Sequence, residues 1–355
     1  GIQNVTVDDG ARPITTVRSS TIGLIGSAPE ADPLIFPLNK PVLIAGSRTL
    51  AAKLGETGTL PQALDSIFDQ IGAVVIVVRI DEEETAPATL ANVIGGVDAN
   101  TGTYEGVHAF LASENITGFV PKILIAPGFT HTRTEAVGET PATSNPVVAE
   151  LIGIAERLKA VIVADGPNTN DADAIAYSKD FGSKRVFLVD PKVLKSVAGE
   201  TSQEWASACV AGLIAKSDND RGWWWSPSNQ EINGIVGTAR AIDFAMGDAN
   251  CRANLLNEKN IATIIRQQGY RLWGNRTLSS DSKWAFLCVV RTADMIDESL
   301  KAAHLWAVDR GITKTYVSDV IEGVNAYLRY LTNIGAILGG SCWADPDLNS
   351  ADQIA

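Results

Sequence analysis

Short apolar runs separated by amphipathic stretches organise most of this chain. Residues 21–26, 42–46 and 73–80 are rich in Val, Ile, Leu and Gly, with an amphipathic stretch near 61–71 before the third. Strands that read as continuous aliphatic runs are covered on both faces, and their alternation with helices predicts an α/β layout around a mixed or parallel sheet. The acidic run Asp81, Glu82, Glu83, Glu84, with Thr85, Ala86 and Pro87, predicts a solvated break. Beyond it, strands are expected at 122–126, 160–164 and 184–189 and helices at 146–158 and 203–215. Residues 129–145, rich in Thr, Gly and Pro, predict a long exposed loop.

Both ends depart from this rhythm. Val5-Thr6-Val7 and Ile14-Thr15-Thr16-Val17 alternate apolar and polar side chains, which predicts an extended arm over 1–20 with one covered face. Near the other end, Val289, Ala293, Ile296, Leu300, Ala303 and Ala307 recur at three and four residues, predicting a helix over 289–308 that carries His304 and Trp306. A second helix over 316–331 places Val317, Val320, Ile321, Val324, Tyr327, Leu328 and Leu331 on one broad face, and residues 335–343 then turn extended.

Composition narrows the class. A length of 355 residues implies two or three compact units, and 45% hydrophobic with 20% charged residues is the balance of a soluble globular protein. The longest aliphatic run, 73–78, stops at Arg79, too short to cross a membrane. A net charge of −12 argues against binding nucleic-acid phosphates over the whole surface. Cys209, Cys251, Cys288 and Cys342 form no CxxC pair and read as reduced thiols, a disulfide being the alternative. All eight tryptophans and all four cysteines lie from Trp205 onward, which marks the C-terminal part for subunit contacts, or for ordinary core packing.

Candidate chemistry is sparse. Gly23-Leu24-Ile25-Gly26 lacks the third glycine of a dinucleotide fingerprint and is followed by Pro29, so it reads as a strand with glycines; no Walker sequence occurs. The three histidines, His108, His131 and His304, have no helical ligand spacing and read as structural. Gly339-Gly340-Ser341-Cys342-Trp343 lacks the second glycine of a nucleophile elbow. Sequons at Asn4, Asn115 and Asn275 carry no meaning without a secretory route. Three adjacent indoles, Trp223, Trp224 and Trp225, cannot share one face of a strand, so at least one is expected at the surface, in an interface or against local structure. No catalytic, metal or cofactor residue is assigned.

Two runs carry more. Tyr270-Arg271-Leu272-Trp273-Gly274-Asn275-Arg276-Thr277 and His304-Leu305-Trp306-Ala307-Val308-Asp309, together with 36–44 and 232–237, resemble the contractile tail sheath proteins of bacteriophages and R-type bacteriocins over nearly the whole chain. The resemblance implies a multi-domain α/β (α+β overall) fold, with one outward domain subtilisin-like in fold only. It divides the chain into an N-terminal arm (1–20), outward α/β domains (21–100 and 101–270) and an inner α+β core (271–355). Trp273, Gly274, Asn275, Arg276, His304 and Trp306 would pack that core. Arg310, Lys314 and Arg329 would face the tail tube, and Val5, Val7, Trp223, Trp224, Trp225 and Trp343 would meet other subunits.

The implied function is a sheath subunit, assembled in the bacterial host cytoplasm and resident in the virion tail. It would polymerise with its copies around the inner tube and contract without a nucleotide to drive the tube through the cell envelope. Baseplate and tail terminator proteins would be further partners, and no membrane insertion or nucleic-acid binding is implied. A bacteriocin or related injection system is the alternative, and an α/β hydrolase or nucleotide-binding enzyme the remote one. Sheath proteins of this kind start a few residues earlier and run several dozen further. The chain is therefore expected to lack arm residues and to assemble poorly or stay monomeric.

Overall fold

The aliphatic runs become the strands of one sheet. In a computed structural model of the protein, which describes residues 13–133, 142–197, 199–308 and 314–345, eight strands pair side by side. They are β1 (Ile22–Ser27), β2 (Val42–Ala45), β3 (Val74–Ile80), β4 (Ile123–Ile125), β5 (Val161–Asp165), β6 (Val186–Val189), β7 (Ile261–Arg266) and β8 (Tyr270–Trp273). Their order is β8-β7-β6-β5-β4-β1-β3-β2, parallel throughout except for β2 and β8, which close the two edges antiparallel. The sheet is therefore mixed with a parallel centre.

Side-chain alternation divides these strands between two cores. Ile22, Leu24, Val75, Val77, Val161 and Val163 pack on one face with α1 (Thr59–Phe68) and, from later in the chain, the helix Ala206–Arg221. Ile25, Ile76, Val78, Ile162 and Ala164 pack on the other with α2 (Ala86–Ile94), α3 (Pro146–Leu158) and α4 (Asp171–Ser178). Numbering α5 as Ala206–Arg221, its buried residues run from Ala206 to Ala215 without a break, so it is a helix enclosed on nearly all sides. Glycine in β1 serves this packing: a Cβ on Gly23 would stand 2.8 Å from Leu124 and 2.9 Å from Phe110. A hairpin of Val193–Val197 and Glu200–Glu204 pairs with Gly237–Thr238 outside the main sheet, and α6 (Arg252–Glu258) precedes β7.

Two helices lie outside the segments expected to be helical. The acidic run 81–84 is exposed, but Thr85 and Pro87 begin α2 instead of prolonging the break: the Thr85 hydroxyl accepts from the Ala88 amide at 3.4 Å, and proline fits the first helical turn. Asn170 starts α4 in the same way, accepting from the Asp173 amide at 3.0 Å.

The chain divides into two compact units, Ser19–Arg291 and Gly1–Arg18 with Thr292–Ala355. The expected division between 100 and 101 falls inside one sheet, because β1 is hydrogen-bonded to β3 on one side and to β4 on the other. A strand buried on both faces also needs a neighbour on each edge, and β1 draws one from each side of that boundary. The expected division between 270 and 271 falls inside β8.

The smaller unit contains most of α7 (Leu287–Ala303) and all of α8 (Lys314–Asn333). Among its described residues, 13–18 and 335–345 carry no strand. Side chains hold these segments instead. The Val17 amide donates to Ser299 Oγ at 3.1 Å, the Thr16 and Tyr327 hydroxyls lie 2.9 Å apart, and the Asn325 amide group bonds both the N–H and the C=O of Cys342 at 2.8 and 3.0 Å. Val5, Val7 and Arg310 lie outside the described residues. Helix α8 buries Val324, Tyr327 and Leu331, members of the expected apolar face. Helix α7 differs: the residues it buries are Leu287, Val290, Arg291, Asp294, Met295 and Ser299, while Val289 is exposed. Hydrogen bonds to Arg291 and Ser299 let a polar side turn inward, which apolar spacing does not reveal. Trp306 lies in a 3-10 turn, Leu305–Ala307, past the end of α7.

Candidate functional site

The run from Trp273 to Leu278 takes the chain from the sheet edge to the start of α7, and each residue has a geometric task. Trp273 ends β8 with its ring edge-on to Phe244, centroids 4.7 Å apart, and its carbonyl accepts from Asn257 Nδ2 at 3.2 Å. Gly274 has φ +138°, and a Cβ there would stand 2.6 Å from Asn257 Oδ1 and 2.8 Å from Ala262 Cα. The Asn275 carbonyl accepts from the Leu287 amide at 2.9 Å, and its side-chain nitrogen donates to Cys288 Sγ at 3.2 Å. The Arg276 guanidinium lies 5.1 Å from the Phe286 ring centroid. The Leu278 amide then reaches back to the Val186 carbonyl at 2.9 Å, fastening the turn to β6. These contacts fix a chain path and present no nucleophile or base.

The remaining candidates are dispersed. His304 accompanies α7 to its end, with Nδ1 2.6 Å from the Leu300 carbonyl, and Trp306 meets Tyr316 edge-on at 5.8 Å; both belong to the smaller unit. Lys314 opens α8 and Arg329 is exposed near its other end. Of the three adjacent indoles, Trp223 is buried, Trp224 packs edge-on against it at 5.3 Å, and Trp225 is 50% exposed with Arg221 5.3 Å from its ring centroid. Trp343 is 69% exposed.

A crevice also opens beyond the carboxyl ends of β1, β3 and β4, where strand order reverses, the usual ligand position in an open α/β sheet. Its volume is about 660 Å³, and Ser27, Thr59, Glu82, Glu83, Glu84 and His131 are among its lining residues. His131 stacks on Trp205 with ring centroids 4.1 Å apart, and burial together with the Lys192 charge holds its pKa down to about 4. Behind the crevice, burial pushes the Asp165 carboxyl up to about 7 although Ser207 donates to it from both its amide, at 2.8 Å, and its hydroxyl, at 2.6 Å. That pairing caps the first turn of α5 with two fully enclosed side chains, so the serine is not presented to the crevice. Among the described residues no group of three or more His, Cys, Asp or Glu is placed to hold a metal ion. His108, the remaining histidine, pairs with Glu150 at 2.9 Å.

Sequence patterns missed the buried charges. Arg240 links Asp171, at 2.6 Å, to the fully buried Asp190, and Arg252 joins Asp171 at 2.9 Å, holding the loop before α6 against α4. Lys195 lies between Asp69, at 2.8 Å, and Glu204, at 3.7 Å. Arg291 pairs with Asp218, both almost completely enclosed. Apart from Lys195 and Glu204, which share a hairpin, the paired residues are far apart in sequence and share no periodicity, so only the fold brings them together.

Comparison with known proteins gives a consistent result along the chain. The family model for the phage tail sheath protein central domain matches residues 102–278, that for the phage tail sheath C-terminal domain matches 279–355, and that for the N-terminal region of tail sheath protein Gp18 domain III matches 19–80. A putative prophage major tail sheath protein of Pseudomonas aeruginosa (strain UCBPP-PA14) is 47% identical, covering 100% of this chain and 89% of the relative. The tail sheath protein of Escherichia phage P2 is 35% identical over 100% of this chain and 88% of its own length. Among solved structures, the sheath complex of an extracellular contractile injection system, PVC, in the contracted state matches with a TM-score of 0.67 at 16% identity, over 100% of this chain and 92% of that one. The contracted helical sheath of the anti-feeding prophage matches at 0.63 and 18% identity, over 97% and 88%.

Proposed function

Because the chain belongs to the phage tail sheath protein family, we infer that its work is mechanical: it is a subunit of the contractile tail sheath of a phage or a related contractile injection system. Copies polymerise around an inner tail tube, engage a baseplate at one end and a terminator at the other, and contract to drive the tube through a target envelope. Assembly takes place in the host cytoplasm, and the finished subunit resides in the tail. The observation that carries this reading is the set of family matches over residues 19–80 and 102–355, which reaches into both compact units.

The geometry supports a structural role over an enzymatic one. Asp165, Ser207 and His131, the group nearest to a hydrolase constellation, are occupied by capping and stacking. Contraction then draws on a metastable array relaxing to a better-packed one, with small gains summed over many subunits. Arg329, exposed on α8, suits a screened contact with an acidic tube surface, weak enough to release on firing. Co-expression of the full-length protein with a tail tube protein, followed by electron microscopy, tests this function: sheathed tubes are expected. Full-length subunits that form no polymer with or without the tube would overturn it.

A further inference from the structure

We propose that Asp218 is the positioning residue that anchors both places where the chain passes between its two compact units. Those places are Arg18 to Ser19 and Arg291 to Thr292, so every covalent link between the units runs through them. Both are held by one carboxylate. Arg291 donates from Nη1 to Asp218 Oδ1 at 2.8 Å and from Nη2 to Oδ2 at 2.5 Å. Ser19 Oγ donates to the same Oδ2 at 2.8 Å, and Arg291 Nη2 also donates to the Ser19 carbonyl at 3.1 Å. The four bonds close a ring that joins Asp218 to two segments 73 and 199 residues away.

Burial gives the ring its strength. The side chains of Arg291 and Asp218 are only 5% and 3% exposed, so losing either partner leaves an uncompensated charge in the interior, and the planar two-bond geometry fixes direction as well as distance. Helix stability does not explain an acid at this position. Asp218 lies in the last turn of α5, where the helix dipole disfavours negative charge. Its tertiary partners account for it. Helix α5 in turn packs against β1, β4, β5 and α1, so a pull on Ser19 or Arg291 passes into the sheet without first straining either connecting segment.

This role rests on the mechanical function proposed above, since load passed from one unit to the other along the chain must run through these two crossings. It predicts that the charge-free double variant Asp218→Asn with Arg291→Gln folds, since neither charge is left unpaired, but loses its anchors. Hydrogen exchange of the assembled and free protein is the test. Amides of residues 17–20 and 288–294 should exchange roughly tenfold or more faster in the double variant, while β4 and β5 keep their protection. Unchanged exchange at the two crossings, or an equal loss in β4 and β5, overturns the proposal. The single variant Asp218→Asn should be worse than the double, because it leaves Arg291 unpaired; equal effects would also count against the ring. Tube co-assembly of the wild-type protein is scored separately, so a protein that never forms sheaths defeats the functional reading while the exchange result still judges the anchor.

Discussion

The two units handle their apolar residues differently. In the 19–291 unit the central strands are buried on both faces, and large side chains such as Phe36, Phe110 and Phe187 are almost wholly enclosed; its exposed apolar residues, such as Leu34, Met246 and Val289, are scattered along the chain. In the smaller unit, α8 buries Val324, Tyr327 and Leu331, but Leu305, Val308, Tyr330, Leu338 and Trp343 stand in solvent. One unit carries its own hydrophobic core. The other is apolar beyond what it covers, which fits a part that gains stability from neighbouring copies. On the function proposed above, stability would rest with the sheet unit and adhesion with the smaller unit.

The largest expected effect lies in the sheet unit. Phe110→Ala removes a fully buried ring that packs over Gly23, and should cost about 3–5 kcal/mol in denaturant unfolding. Tyr330→Ala on the exposed side of α8 should change the same measurement by no more than about 0.5 kcal/mol. Equal losses from the two substitutions would break the comparison.

Gly274→Ala comes next. The added carbon meets backbone at Ala262 and the Asn257 side chain, at a φ of +138° that a side chain rarely adopts, so a cost of about 1–3 kcal/mol is expected. Because Gly274 joins β8 to the turn before α7, thermal unfolding of the sheet unit should shift. A neutral result would mean that the turn relaxes freely and that the 270–278 path is not rigid.

Acid–base behaviour offers a smaller and more selective test. With its carboxyl pushed to about 7 by burial, Asp165 takes up a proton on folding between about 4 and 7. Its contribution to stability is therefore full below the unfolded value and lost as pH rises through about 7. Asp190, raised by burial against the pull of Arg240, acts with the same sign. His131, held at about 4, acts oppositely: its contribution is present above the unfolded value of 6.5 and is lost as pH falls through 4. Asp165→Asn should reduce the stabilisation on acidification from pH 7 to 5, leaving the Asp190 contribution and the opposing histidine trend. Parallel stability–pH curves for the variant and the wild type would show that Asp165 is not perturbed.

Much of the sheet unit was legible because its signals are local. Buried parallel strands announce themselves as aliphatic runs, and α3 was bounded by Asn145 and Pro146 at its start, with its amide-capping asparagine in place. Other features depend on partners distant in sequence. Helix α7 turns Arg291, Asp294 and Ser299 inward, against the apolar spacing of Val289, Ala293 and Ile296. The sharing of one sheet by 21–100 and 101–270 depends on which strand pairs with β1, a choice that composition cannot register. The crevice lining likewise gathers Ser27, Thr59, Glu82 and His131 from four separate segments.

The smallest expected change in stability attaches to the exposed tryptophans, and there the comparison is sharpest. Trp343 is 69% exposed next to Cys342, which the Asn325 amide holds, and Trp225 is 50% exposed beside Arg221 on the sheet unit. Replacing either with Ser removes little buried surface, so unfolding should move by no more than about 0.5 kcal/mol. Polymerisation should separate the two. If adhesion belongs to the smaller unit, Trp343→Ser weakens sheath formation with the tube by about tenfold or more, the range of an aromatic interface anchor. Trp225→Ser weakens it less, since part of that ring is already engaged by its own guanidinium partner. The reverse order, read from the subunit concentration at which tubes first appear, would move the adhesive surface onto the sheet unit and undo the division of labour.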